Sequence, residues 1–136
     1  MSHFDMVKNY LFDLDIVPVV EDYDNGLFRI SEEARNIENM ILSIRKSDLM
    51  VDQLIFKVPQ NAEVSYQAHL FKRLLQMSGN LAHGAFVLDG KAEHVLFHNT
   101  LALENLDLNE LESTINAITL GLEEFGDELI MLQGEG

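Results

Sequence analysis

The sequence predicts an α+β fold in which an antiparallel sheet of five to six strands is flanked by three helices, in the order α-β-β-β-β-α-β-β-α. Three observations carry this. Apolar residues recur at helical spacing in three separate stretches. Between them lie short runs rich in Ile, Val, Leu and Phe. Asp-Asn-Gly and Asp-Gly interrupt those runs where hairpins turn. Residues 1–136 read as a single domain, and a chain of this length buries roughly two-thirds of its unfolded surface.

The first helix covers residues 3–14. Phe4, Val7, Leu11 and Leu14 line one face, Ser2 is placed to cap the start, and Asp5 follows three positions on. Pro18 bars continuation. Asp24-Asn25-Gly26 then predicts a type I′ turn joining Ile16–Tyr23 to Leu27–Ser31. Strands follow over 38–46 and 49–58, parted near Ser47-Asp48. Ser31-Glu32-Glu33-Ala34 also allows a helix running to Ile44, because acids suit a first turn. Strands are preferred, since that helix would leave Leu49–Val58 without an adjacent pairing partner.

Pro59 stops the last of these strands. A second helix is expected over about 61–79, with Val64, Ala68, Phe71, Leu74, Leu75 and Ser78 as its stripe and Gly79 or Asn80 at its end. Gly84–Leu88 and Lys91–His98 form another hairpin around Asp89-Gly90. The last helix has the best-specified start. Asp107 and Glu110 make a capping box, Leu106 and Leu111 a hydrophobic staple, and Leu108, Leu111, Ile115, Ile118, Leu122, Phe125 and Leu129 a core stripe.

Composition narrows the function. Twenty-three acids oppose nine bases, giving −14, so nucleic acids and anionic membranes would be repelled. No Lys or Arg follows Lys91, whereas nine acids fall between Glu104 and Glu135. That run reads as a solvated helix face or as an attraction for a basic partner segment. Absent cysteine excludes disulfides, thiolate metal sites and thiol nucleophiles, and fits a cytoplasmic setting. No signal peptide or membrane span is expected.

Chemistry-bearing motifs are sparse. His94 and His98 share a strand, where four residues separate them by about 13 Å, too far to share a metal. His3, His69 and His83 are isolated. No phosphate-binding loop, nucleophile elbow or calcium loop occurs, and Glu32-Glu33 and Glu123-Glu124 read as wet helix acids. No catalytic residue, cofactor or metal is expected. The strands say more. Alternation groups Met40, Leu42 and Ile44, and Met50, Leu54, Phe56 and Val58, as core. It leaves Ile41, Val51 and Ile55 on a half-apolar opposite face that a partner chain can cover. Those three, with Phe4, Val7 and Leu11 of the first helix, are the candidate partner-binding residues.

One set of residues carries a resemblance. Gly84–Asp89, Thr100-Leu101 and Glu104–Glu112, with Phe71–Gln76 and His83 upstream, resemble the YbjN-type, Tir-chaperone-like family. The likeness is sharpest over residues 70–132 and departs at His98-Asn99, where the family pattern has Arg-Asp. It implies the fold of class I type III secretion chaperones, which are small acidic homodimers that hold an extended client segment. It also makes Phe71, Leu74 and Leu75 candidate dimer-interface residues. The expected function is therefore a non-catalytic protein-binding module with a protein partner. Two alternatives stay open: a small-molecule or metal-dependent enzyme, which would need converging histidines or acids in a deep pocket, and a regulatory adaptor without chaperone activity.

Overall fold

The computed structural model describes residues 2–134, and Glu135 of the acidic run lies outside them. Three helices pack on a six-stranded antiparallel sheet. The elements are α1 (His3–Asp13), β1 (Val20–Asp22), β2 (Leu27–Glu32), β3 (Ile37–Arg45), β4 (Asp48–Lys57), α2 (Val64–Ser78), β5 (Ala85–Leu88), β6 (His94–Ala102) and α3 (Leu108–Gly134). The spatial order is β1-β2-β3-β4-β6-β5, so β1 and β5 are the edges.

The caps follow from local chemistry. At the start of α1 the Asp5 N–H donates to Ser2 Oγ (3.1 Å), and at α3 the Glu110 N–H donates to Asp107 Oδ1 (2.8 Å). Leu106 and Leu111 are both buried beside the second cap. Glu33–Arg35 forms one 3-10 turn, and β3 follows as an extended strand, which excludes the alternative helix over 31–44.

Four expectations need correction. The β1–β2 turn is not type I′: only Gly26 takes a positive φ (+62°), and the Asp22 carboxylate accepts from the Asn25 N–H (3.2 Å) and side-chain amide (2.8 Å), holding a longer loop. The strand preceding it is short, with Ile16 already in the core. The α2 stripe is rotated: Leu70, Leu74 and Met77 are buried, while Val64, Ala68 and Leu75 are exposed. In β4 the pairing with β6 slips between Leu54 and Phe56. This bulge inverts the alternation. Leu49, Val51 and Gln53 face the core before it, and Phe56 and Val58 after it.

Polar ties lock the helices to one another. Tyr10 of α1 donates its hydroxyl to the Leu106 carbonyl ahead of α3 (2.9 Å), and Tyr66 of α2 to the Leu132 carbonyl near its end (2.6 Å). Arg73 of α2 grips Glu128 of α3 with two bonds of 2.6 and 2.7 Å.

Candidate functional site

Residues paired directly across an antiparallel ladder share a face. One row runs Phe28–Leu42–Val51–Asn99, and a second Gln53–Phe97–Phe86. Phe4 of α1 stacks on Phe28 with ring centroids 4.3 Å apart, Asn99 donates to Thr114 of α3 (3.4 Å), and Phe125 of α3 meets Phe86 edge-on (6.1 Å). At the β5 end the Phe86 N–H donates to Ser78 Oγ of α2 (2.9 Å). The three helices therefore share this face.

The opposite face carries the rows Arg29–Ile41–Asp52–His98–Ala85, Leu27–Ser43–Met50–Thr100 and Leu54–Leu96–Val87. Its apolar residues Leu27, Ile41, Met50, Leu96 and Val87 are half-buried by their neighbours in the sheet, Leu54 is 53% exposed, and none joins the core. The half-apolar uncovered face expected from sequence thus exists, with Ile41 on it, but with other companions.

Phe4, Val7, Leu11 and Val51 are corrected: all are buried, because α1 lays its apolar stripe on the sheet and the β4 bulge turns Val51 inward, so no partner can touch them. Ile55 sits at the bulge, half-buried against the core. Of the residues named for dimerisation, Leu74 is buried and Phe71 half-buried, but Leu75 is 73% exposed. With Phe86, Val87 and Leu88 of β5 these three line an apolar groove of about 290 Å³ along one sheet edge.

The other edge holds residues that alternation alone did not single out. Phe12 (76% exposed), Val17 (77%), Val19, Val20 and Tyr23 present apolar surface around β1. The Arg29 carbonyl turns toward β1, where it accepts from the Val19 N–H (2.8 Å), so its register partner Val20, and Asp22 two residues on, face β2, and alternation turns the backbone groups of Glu21 outward. A proline beside β-branched residues, Val17-Pro18-Val19-Val20, is an edge-strand signal in the sequence.

Several ionisable groups are tied into pairs. Asp89 accepts from His94 Nδ1 (2.6 Å) and from the Glu93 and His94 N–H groups, and these bonds, His94's first, hold its carboxyl below the usual range. Glu128 is held low chiefly by the Arg73 hydrogen bonds, and Asp22 by those of Asn25. His98 sets Nδ1 2.5 Å from Asp52 Oδ1 and Nε2 2.9 Å from Thr100 Oγ1. That connectivity matches a hydroxyl–imidazole–carboxylate triad. The Thr100 N–H already donates to Asn99 Oδ1 (3.0 Å), however, so that amide is not free to meet an oxyanion. Among the described residues no group of three or more His, Asp or Glu is arranged to hold a metal, and no helix is long and apolar enough to cross a membrane.

Comparison with known proteins adds the following. A protein-family profile described as CesT_Tir_1 matches residues 1–135. No curated protein sequence matches. Among solved structures, the HopA1–SchA chaperone–effector complex contains a chain similar at 19% identity and a TM-score of 0.60, over 87% of this chain and 90% of that one. The Yersinia pestis type III secretion chaperone SycH, solved with a stable fragment of YscM2, is similar at 16% identity and 0.54, over 96% and 99%. YbjN from E. coli, described as a putative transcription regulator, is similar at 10% identity and 0.66, over 91% of each chain. These likenesses show the shared fold.

Proposed function

The chain belongs to the CesT_Tir_1 family, and on that footing we propose that it is a non-catalytic, chaperone-like module that holds an extended segment of another protein and works as a homodimer. The observation that carries the reading is the half-covered sheet: helices roof one face, while the other face and the β1 edge keep apolar side chains in water. A client strand laid outside β1 would pair with the outward backbone groups of Glu21 and cover Val17, Val19 and Tyr23. Each large aliphatic side chain so buried contributes about 1.5–3 kcal/mol before ordering costs. That SchA and SycH were solved with partner polypeptides supports this use of the fold.

The homodimer reading rests on the α2–β5 groove. Leu75, beside Phe71, Val87 and Leu88, is apolar surface that two identical copies cover reciprocally about a two-fold axis. A cytoplasmic setting agrees with the lack of cysteine.

Two experiments test the reading. Light scattering at micromolar concentration is expected to give a dimer mass, and Leu75→Glu a monomer; a monomeric parent refutes the dimer. A photo-crosslinking side chain at Val20, irradiated in native cells, is expected to capture a partner polypeptide that Val19→Lys loses. Repeated failure to capture any polypeptide refutes the binding role.

A further inference from the structure

Strands β3 and β4 do not stay paired along their length. Their ladder ends at Ile41–Asp52, after which Ile37 and Met40 of β3 pair only with β2, and Gln53, Leu54, Phe56 and Lys57 of β4 only with β6. Gln53 sits buried where the arms part, its side-chain amide donating to the carbonyls of Glu38 (2.7 Å) and Leu54 (3.2 Å). A side chain thus stands in for the next rung of the ladder. Beyond it, those backbone groups of Leu54–Lys57 that alternate away from β6 have no strand partner.

Above this interior edge α3 leaves a groove of about 200 Å³, lined by Ile55, Phe56, Leu122, Gly126, Leu129 and Ile130. Gly126 opens onto it: a Cβ there would meet no atom within 4 Å. The rim is acidic. Glu38 is exposed on the β3 arm, Glu123 is tied to Asn36 at the start of that arm (3.4 Å), and Asp127 is exposed beside Gly126. Lys57, at the open end, is the one base on either arm.

We propose that this fork between β3 and β4 is a strand-accepting slot for a basic, extended segment of the partner protein, with one aliphatic side chain of that segment in the Gly126 groove and Lys or Arg beside Glu38, Glu123 and Asp127. The proposal rests on the reading that the chain holds an extended segment, and adds a place and a chemistry distinct from the β1 edge. Strand addition satisfies the unpaired edge. An aliphatic side chain suits the apolar groove. The acids on the flanking elements select bases.

The test uses the full chain and three short synthetic peptides: one alternating Lys with aliphatic residues, the same with Glu for Lys, and the first interrupted by proline. Binding is read by calorimetry and by amide hydrogen exchange. The Lys peptide is expected to bind and to slow exchange at residues 37–39 and 54–57, while the Glu and proline peptides bind at least about tenfold more weakly. Gly126→Leu, whose Cβ enters open space, is expected to fill the groove and cost about tenfold in affinity while leaving the melting temperature no lower. Glu38→Lys should weaken the Lys peptide, and Val20→Lys should not. Binding that protects β1 and ignores Gly126→Leu overturns the slot but leaves the binding reading standing. Equal binding of the Glu peptide overturns the charge argument. Failure of all three peptides overturns the slot, and the crosslinking at Val20 then judges the binding role by itself.

Discussion

Gly121→Ala sets two effects of known size against each other. In an exposed helix interior, Gly to Ala stabilises by about 0.8–1.0 kcal/mol. Gly121, however, is buried where α3 crosses the sheet, and a Cβ there would lie 2.7 Å from Cε2 and 3.2 Å from Cζ of Phe97. Contact distance for such carbons is about 3.5–4.0 Å, so something must retreat by nearly 1 Å. The ring cannot. It is wholly buried, a Cβ at Gly84 would lie only 2.6 Å from its Cε1, and Phe86 stands edge-on at 5.2 Å. The helix must lift instead, and overpacking of this kind costs about 1–3 kcal/mol. Because the ring is clamped, we take the upper part of that range, for a net loss of about 1–2 kcal/mol and a melting temperature lower by about 4–8 °C. Gly126→Ala, on the same helix with open space around it, is expected to gain up to about 1 kcal/mol. Urea unfolding followed by circular dichroism, at one protein concentration because a dimer would make the midpoint concentration-dependent, reads both. Equal stabilisation by the two substitutions would refute the clamped-ring argument.

Three further outcomes follow from the packing. Phe4→Ala should destabilise by about 3–5 kcal/mol in the same urea assay, because the ring is buried against Phe28 and Tyr23; a change under 1 kcal/mol would return Phe4 to the surface. Arg73→Ala should lower the urea midpoint only modestly at pH 7, since both partners are about one-third exposed and solvent screens the pair. The depressed Glu128 carboxyl stabilises fully above its unfolded pKa of about 4.3 and loses that contribution as pH falls through its lower folded value, so the gap between Arg73→Ala and the parent should close in acid. Asp89→Ala removes the acceptor of the Glu93 and His94 amides, and hydrogen exchange at those two amides should quicken while β1–β3 stays unchanged.

What the sequence disclosed was whatever is decided locally. The caps at Ser2 and Asp107 lie within four residues of the groups they satisfy, and the 3-4 spacing of α3 names its own buried side. Parity within a strand is different. The bulge at Leu54–Phe56 is fixed by pairing with β6, some forty residues away, so counting by twos from Leu49 to Val58 assigned Val51 to the wrong face. Phe4 was offered to a partner for a similar reason: an apolar helix stripe looks the same whether its cover is Phe28 or another chain. On α2 the apolar residues occupy two adjoining faces, of which the Leu70–Leu74–Met77 face is taken by the core and the Leu75 face is not. Periodicity cannot rank two such faces, and the fork at Gln53 leaves no local trace at all.

Strand adjacency has a kinetic corollary. Every neighbouring pair in the sheet is joined by a short connection except β4 with β6, which meet over nine register pairs from Asp48–Ala102 to Lys57–His94. The β1–β4 meander and the β5–β6 hairpin can each zip early, at little entropic cost. Uniting them closes a far longer loop before any rung rewards it. We expect this seam to limit the refolding rate, so that weakening Val51–Asn99 slows folding, whereas weakening the β1–β2 hairpin mainly hastens unfolding.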